Sequence, residues 1–324
     1  MFGGLYLIIV INMKHKILIS APYMHAEKEK VTKMLESYSF DVDWAPVEER
    51  LEESDLLPII SKYEGILCGD DRITDKVIDA ATNLKVIVKW GTGIDSINKE
   101  YAESKGVKVF RTPGAFSEPV SDTTLALMLS EVRGLLKNDN LVKSGKWEKP
   151  QGYMLREKTI GIIGFGDVGQ AVVKKLVPFG AKVLVNDIRK FDGETLKSLN
   201  VTHVSKDEIY KTCDIISIHC DLNPTSKYVL NMASFLKMKK KPYIINTARG
   251  PLIKEDDLVE VLNKGLISGV GIDVFEHEPL PKDSPLRSLD TVVASCHNSN
   301  SSSVCWDAVH QNSLKMMSEG LNNK

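Results

Sequence analysis

Short apolar runs rich in β-branched residues recur along this chain, and longer stretches with apolar positions at helical spacing lie between them. KILIS (16–20), GILC (65–68), KVIVK (85–89) and VKVF (107–110) form a first series, with helical patterns such as 26–37 and 74–82. TIGIIG (159–164) opens a second series, continued by KVLVND (182–187), DIISIH (214–219), YIINT (243–247), SGVGID (268–273) and TVVAS (291–295). This βαβα rhythm predicts an α/β fold built from doubly wound parallel sheets. Two series predict two domains. Between them, SEPVSDTTLALMLSEVRGLL (117–136) predicts one amphipathic helix after Pro119, and SSSVCWDAVHQNSLKMMSEGL (301–321) predicts a closing helix. No low-complexity tract or repeat interrupts the pattern.

Composition adds exclusions. A chain of 324 residues suffices for two domains with their own cores. Its 42 basic and 43 acidic residues nearly cancel, so no charge excess points to nucleic acid or an anionic membrane. The five cysteines, Cys68, Cys213, Cys220, Cys296 and Cys305, form no C-x-x-C pair and are odd in number, which fits a reducing cytoplasm better than a disulfide scaffold. The histidines show no H-E-x-x-H spacing, so no metal site is expected. Residues 1–12 contain an apolar run at Leu5–Ile11 that is far shorter than the ~20 residues of a membrane helix. Met13 then leads directly into a first strand, so 1–12 read as an extension of the fold.

Strand TIGIIG runs into Gly164-Phe165-Gly166-Asp167-Val168-Gly169 and then into the helical pattern QAVVKKLVPFG. A G-x-G-x-x-G set between strand and helix is the context of a dinucleotide site. Gly164 permits the tight turn, Gly166 lets the backbone approach a pyrophosphate, and Gly169 lets helix and strand pack closely. The helix N-terminus offers its N–H groups to the phosphates. Strand KVLVN ends in Asp187, where a carboxylate binds a ribose 2′-hydroxyl and repels a 2′-phosphate, so NAD is expected over NADP. Ile188 beside it, and Thr247 and Ala248 after YIIN, are further cofactor candidates; Arg189 and Lys190 soften the preference.

Open α/β sheets bind ligands beyond the carboxyl ends of their strands. Arg249 follows YIINT, Glu278 follows SGVGID, and His297 follows TVVAS. Hydride transfer to a 2-oxo acid needs such groups: a cation for the carboxylate and carbonyl, and an acid for the developing alkoxide. Taken singly, each has an ordinary structural reading as an ion pair, a loop carboxylate or a structural histidine.

NTARGPLIKEDDLVEVL (246–262), GVGIDVFEHEP (269–279) and His297, with KWGTGIDSINKEYAESKGVKVFRTPG (89–114), resemble the D-isomer-specific 2-hydroxyacid dehydrogenases, nearest their phosphoglycerate dehydrogenase branch. The resemblance runs from Met13 onward. It implies a Rossmann NAD-binding domain at 116–299, a flavodoxin-like substrate-binding domain at 13–115 with 300–324, and a cleft between them. It implies that Arg249 binds the substrate carboxylate and polarises its carbonyl, that His297 moves the proton, and that Glu278 orients His297. It also implies that Asp273 faces the nicotinamide carboxamide and that the N–H groups of Gly91-Thr92-Gly93 cradle the carboxylate. A homodimer formed through the cofactor domain follows from the same resemblance. Glu278 separates this chain from the formate dehydrogenases of similar fold, which carry glutamine there.

The chain departs from the pattern beside His297. Cys296 stands where the family has proline, and Asn298-Ser299-Asn300-Ser301 replaces a glycine-rich segment. After DIISIH, Cys220-Asp221 occupies the place of a usual proline. For the substrate, Lys89 keeps a positive charge where phosphoglycerate enzymes have arginine, while Gly69-Asp70-Asp71-Arg72 is mostly acidic where another cation is frequent. Lys89 thus points to 3-phosphoglycerate and the acidic loop to hydroxypyruvate or glyoxylate. A third expectation, from a different class, is an NAD-sensing protein like the C-terminal binding protein corepressors.

Overall fold

The computed structural model describes residues 14–322; the extension expected at 1–12 lies outside them. Strands β1 (His15–Ile19), β2 (Phe40–Trp44), β3 (Gly65–Cys68), β4 (Val86–Lys89) and β5 (Lys108–Phe110) form one parallel sheet in the order β2-β1-β3-β4-β5. Strands β6 (Thr159–Ile163), β7 (Lys182–Asn186), β8 (Val201–His203), β9 (Ile215–Ile218), β10 (Tyr243–Asn246), β11 (Gly269–Ile272) and β12 (Val292–Ala294) form a second, also parallel, in the order β12-β11-β10-β9-β6-β7-β8. The first sheet belongs to a compact unit that runs to Ala115 and resumes at Trp306; the second belongs to Phe116–Cys305.

The central strands are buried along their whole length, as GILC, VIVK, IISI and YIIN show. Parallel sheets are covered on both faces, so their strands read as unbroken apolar runs. In the second unit, one apolar layer gathers Ile216, Ile218, Ile244, Leu252 and Leu258, and another gathers Ile160, Ile162, Phe165, Val172 and Ile245. Each such side chain contributes roughly 1.5–3 kcal/mol by leaving water.

The segment expected as one helix over 117–136 is two. Ser117–Arg133 and Leu135–Lys143 are separated by Gly134, whose backbone at φ 59°, ψ 36° is left-handed and ends the first helix. The first begins at Ser117, with Pro119 inside its opening turn, where a missing N–H costs nothing. Two strands without a clear apolar run, FDVDW (β2) and VTH (β8), complete the sheets at their edges. In the first unit, the closing helix Ser303–Asn322 lies against the sheet. A Cβ on Gly65 of β3 would fall 2.4 Å from the Met317 sulfur, so the glycine makes room for that side chain over the sheet. No helix among the described residues is long and apolar enough to cross a membrane.

Candidate active site

The glycine turn of the second unit is built by close approach. Gly164 has φ 95°, and a Cβ there would lie 2.3 Å from the Cys220 nitrogen. A Cβ on Gly169 would lie 2.2 Å from the Gly164 oxygen, which fixes the helix Asp167–Leu176 against β6. Gly166 differs: among the described residues, the one atom within 4 Å of a Cβ placed there is an Arg189 nitrogen at 3.6 Å, so its outer side is open. The first-turn N–H groups of the helix, with Asp167 and Val168 leading, point there without intrahelical partners. The Phe165 ring is buried and meets Phe191 edge-on at 4.9 Å, so this residue offers a ligand only its backbone.

Asp187 follows β7. Its carboxylate accepts the Phe165 N–H at 2.7 Å and the Arg189 N–H at 2.8 Å, and Arg189 Nε donates to it at 3.1 Å. Burial pushes its pKa up, but the hydrogen bonds from Arg189 and from the two N–H groups outweigh that and hold it below the usual carboxylate range. Ile188 beside it is 93% exposed. An open cradle of N–H groups over Gly166, with a held carboxylate at the next strand end, fits an adenine dinucleotide.

β10, β11 and β12 are neighbours, so the loops carrying Arg249, Glu278 and His297 leave the same sheet edge side by side. Buried Asn246 shapes the first loop: its Nδ2 donates to the Arg249 carbonyl at 2.9 Å and its Oδ1 accepts the Ala248 N–H at 3.1 Å. Thr247, also buried, bonds Thr124 of the helix Ser117–Arg133 through its hydroxyl at 3.0 Å. A Cβ on Gly250 would come within 1.9 Å of the Phe275 carbonyl, so the Arg249 turn lies directly against the loop that bears Glu278. Glu278 Oε1 accepts the Phe275 N–H at 2.9 Å, and Oε2 lies 3.1 Å from His297 Nδ1. A carboxylate only accepts, so Nδ1 carries the hydrogen of this bond. Asp273 is buried; its two carboxylate oxygens accept the N–H groups of Asn298 at 3.0 Å and Ser299 at 2.9 Å.

In the first unit, Gly91, Thr92 and Gly93 follow β4. Gly91 has φ 118°, its carbonyl accepts the Thr112 N–H at 2.9 Å, and the Thr92 hydroxyl donates to the Thr112 carbonyl at 3.0 Å. Among the described residues, the N–H groups of these three residues donate no hydrogen bond. Trp90 before them is buried, stacks on Tyr23 at 4.3 Å, and donates its indole N–H to His310 Nδ1 at 2.9 Å. Lys89 is buried with its Nζ 3.0 Å from Asp70. Asn246, Gly250 and His310 were not singled out from sequence. Gly250 was the most accessible of them, as a glycine directly after a polar turn.

Residues 125–299 match the family described as D-isomer specific 2-hydroxyacid dehydrogenase, NAD binding domain. The chain is 38% identical over 263 residues to a glyoxylate reductase of Thermofilum pendens, covering 79% of this chain and 76% of that one. It is 36% identical over 286 residues to a D-3-phosphoglycerate dehydrogenase of Methanocaldococcus jannaschii, covering 87% and 53%. A crystal structure of D-lactate dehydrogenase from Aquifex aeolicus, complexed with NAD and lactic acid, superposes with TM-score 0.82 at 26% identity over 94% of each chain.

Proposed function

The chain belongs to the D-isomer-specific 2-hydroxyacid dehydrogenases, and from that premise we propose that Arg249, Glu278 and His297 carry the interconversion of a small 2-oxo acid and its D-2-hydroxy acid. As a member of this family it is an NAD-dependent oxidoreductase acting on a CH–OH group. The observation that carries the assignment of roles is the Glu278–His297 hydrogen bond, set one strand away from the Arg249 turn.

The chemistry follows from these atoms. NADH, when bound, supplies the hydride. Gly166, Asp167 and Val168 would hold its pyrophosphate through N–H groups, Asp187 its adenosine ribose, and exposed Ile188 a face of the adenine. Thr247 and Ala248 line the strand end beside Arg249. The Arg249 guanidinium pairs with the substrate carboxylate and draws electron density from its carbonyl oxygen. His297 holds a proton at Nε2 and delivers it to the oxygen as that atom gains charge; in the oxidative direction the same nitrogen takes the hydroxyl proton. Glu278 fixes the ring orientation and favours its charged form. The unspent N–H groups of Gly91, Thr92 and Gly93 are open to a substrate carboxylate.

The helix Leu135–Lys143 buries none of its residues within the chain, and Leu135, Leu136, Val142 and Trp147 on and after it are exposed, Trp147 by 83%. Apolar surface of this extent calls for a partner. We assign it to a second copy of the chain, which agrees with the homodimer that the family resemblance implies.

The test is NADH oxidation against glyoxylate, hydroxypyruvate, 3-phosphohydroxypyruvate, pyruvate and 2-oxoglutarate. Turnover of at least one, lost when Arg249 or His297 is replaced, is the expected result. Tight NADH binding without turnover on any of them would refute the proposal.

A further inference from the structure

The five-stranded sheet reverses its strand order between β1 and β3, which makes the loops at that edge the natural ligand side of the first unit. Cys68 at the end of β3 pairs in register with Lys89 at the end of β4, so the loop after β3 and the Gly91 loop leave the sheet together. Three charged groups converge there. Lys89, whose side chain is 5% exposed, points its Nζ at Asp70 Oδ1 at 3.0 Å and at the Trp90 carbonyl at 3.2 Å. Asp70 keeps 20% of its side chain open to solvent. Asp71 is fully buried; its Oδ2 accepts from the Ser20 hydroxyl at 2.6 Å and the Gly69 N–H at 3.0 Å, and its Oδ1 from the Leu51 N–H at 2.5 Å. Burial pushes the Asp71 carboxyl up, against the pull of those hydrogen bonds and of Lys89. The lysine is therefore already matched, and the group of the three that meets solvent is a carboxylate.

We infer that Asp70 is a specificity-determining residue: by occupying Lys89 it selects 2-oxo acids with an uncharged, hydroxyl-bearing tail and turns away those with a phosphorylated one. The inference rests on the reading that the Gly91-Thr92-Gly93 N–H groups hold the substrate carboxylate. Gly91 follows Lys89 by two residues across the bend at Trp90, at most about 7 Å away, a span that a substituent on the third carbon of the acid reaches from a carboxylate held at the loop. A hydroxyl there donates to the Asp70 carboxylate. A phosphate presents two negative charges to the same oxygen atoms, with no lysine left to meet them. Specificity by a repulsive element needs no loss of contacts to the accepted substrate. Arg72, half-buried on the same loop, is the cation that would work against this arrangement.

The experiment compares kcat/KM for hydroxypyruvate and 3-phosphohydroxypyruvate, with NADH, in the wild-type chain, Asp70→Asn and Asp70→Ser. The wild type is expected to favour hydroxypyruvate. Both variants should raise the ratio of phosphorylated to unphosphorylated substrate by about tenfold or more, through KM for the phosphorylated acid, with the Kd for NADH unchanged. A wild type that prefers the phosphorylated acid, as it would if Arg72 served the phosphate, overturns the inference. So does a ratio that neither variant moves while hydroxypyruvate is still reduced, and that result leaves the dehydrogenase reading standing. Failure of the wild type to reduce either acid, or any other 2-oxo acid, would overturn that reading and the inference with it.

Discussion

Asp273 grips the loop that carries His297 from three directions. Its carbonyl accepts the His297 N–H at 2.7 Å, and its carboxylate takes the N–H groups of the two residues that follow. His297 has φ 51°, in the left-handed region where a residue with a Cβ costs on the order of 1–2 kcal/mol. The grip holds that backbone in place, and its own strand is tied to β10 by the Asp273 N–H to the Asn246 carbonyl at 3.0 Å. The carboxylate that the family resemblance turns toward the nicotinamide carboxamide also holds the backbone that follows the histidine.

Asp273→Asn keeps the shape but turns one acceptor into a donor facing an N–H. Expected are a loss of about 1–3 kcal/mol in denaturant unfolding and a fall in kcat with little change in the Kd for NADH. A rise in that Kd with kcat unchanged would return Asp273 to the nicotinamide.

His297→Ala should lower kcat by at least ~10²-fold and leave NADH binding nearly intact. Glu278→Gln should cost less and distort the pH profile of kcat, because an amide no longer favours the charged ring. Steady-state rates combined with NADH fluorescence titration separate the two effects. Equal loss of turnover and NADH affinity in His297→Ala would remove the proton-transfer role.

Asp187→Ala should relax the preference against NADPH, since Arg189 would then face the ribose without its carboxylate partner. The measured quantity is the ratio of kcat/KM for NADH to that for NADPH. A ratio that does not fall would place the discriminating group elsewhere.

Acid should weaken the fold through His219. Its Nε2 lies 2.8 Å from the Ser217 hydroxyl, its Nδ1 is buried without a hydrogen-bond partner among the described residues, and burial pushes its pKa down to about 3. The unfolded chain takes this proton near pH 6.5 and the native one refuses it until about 3, so stability is complete above the first value and falls as pH drops between them. His219→Gln should flatten the pH dependence of unfolding free energy in that window by up to about 1.4 kcal/mol per pH unit. An unchanged slope would mean that the native ring takes up the proton.

Trp147→Asp should convert a dimer into monomers by light scattering, with the unfolding midpoint lowered and made independent of protein concentration. A variant that stays dimeric would take the interface away from this face.

The interior strands were legible because a strand covered on both faces is apolar at most positions, as YIIN and IISI are. β2 and β8 escaped because polar residues interrupt them: FDVDW carries two aspartates, VTH ends in Thr-His, and each has one buried residue. The candidate catalytic residues were legible because each lies in the loop after a recognisable strand. Strand order was not, and neither was anything that depends on it: that β10, β11 and β12 are neighbours, or that Lys89 meets Asp70 across the ends of β3 and β4. The break at Gly134 was hidden for another reason. Glycine inside a helical pattern is tolerated often enough that only its left-handed backbone marks it as an end.

The unit that begins at β1 is interrupted by the whole of the second and resumes only at Trp306. Until the helix Ser303–Asn322 is made, Gly65 of the first sheet lacks Met317 above it and the Trp90 indole N–H lacks its acceptor, His310. During synthesis the second unit, continuous in the chain, is therefore able to finish first, while the earlier-made strands wait for that helix to leave the ribosome. A truncation that removes only this helix should leave a folded nucleotide-binding core attached to an unfinished, chaperone-dependent remainder.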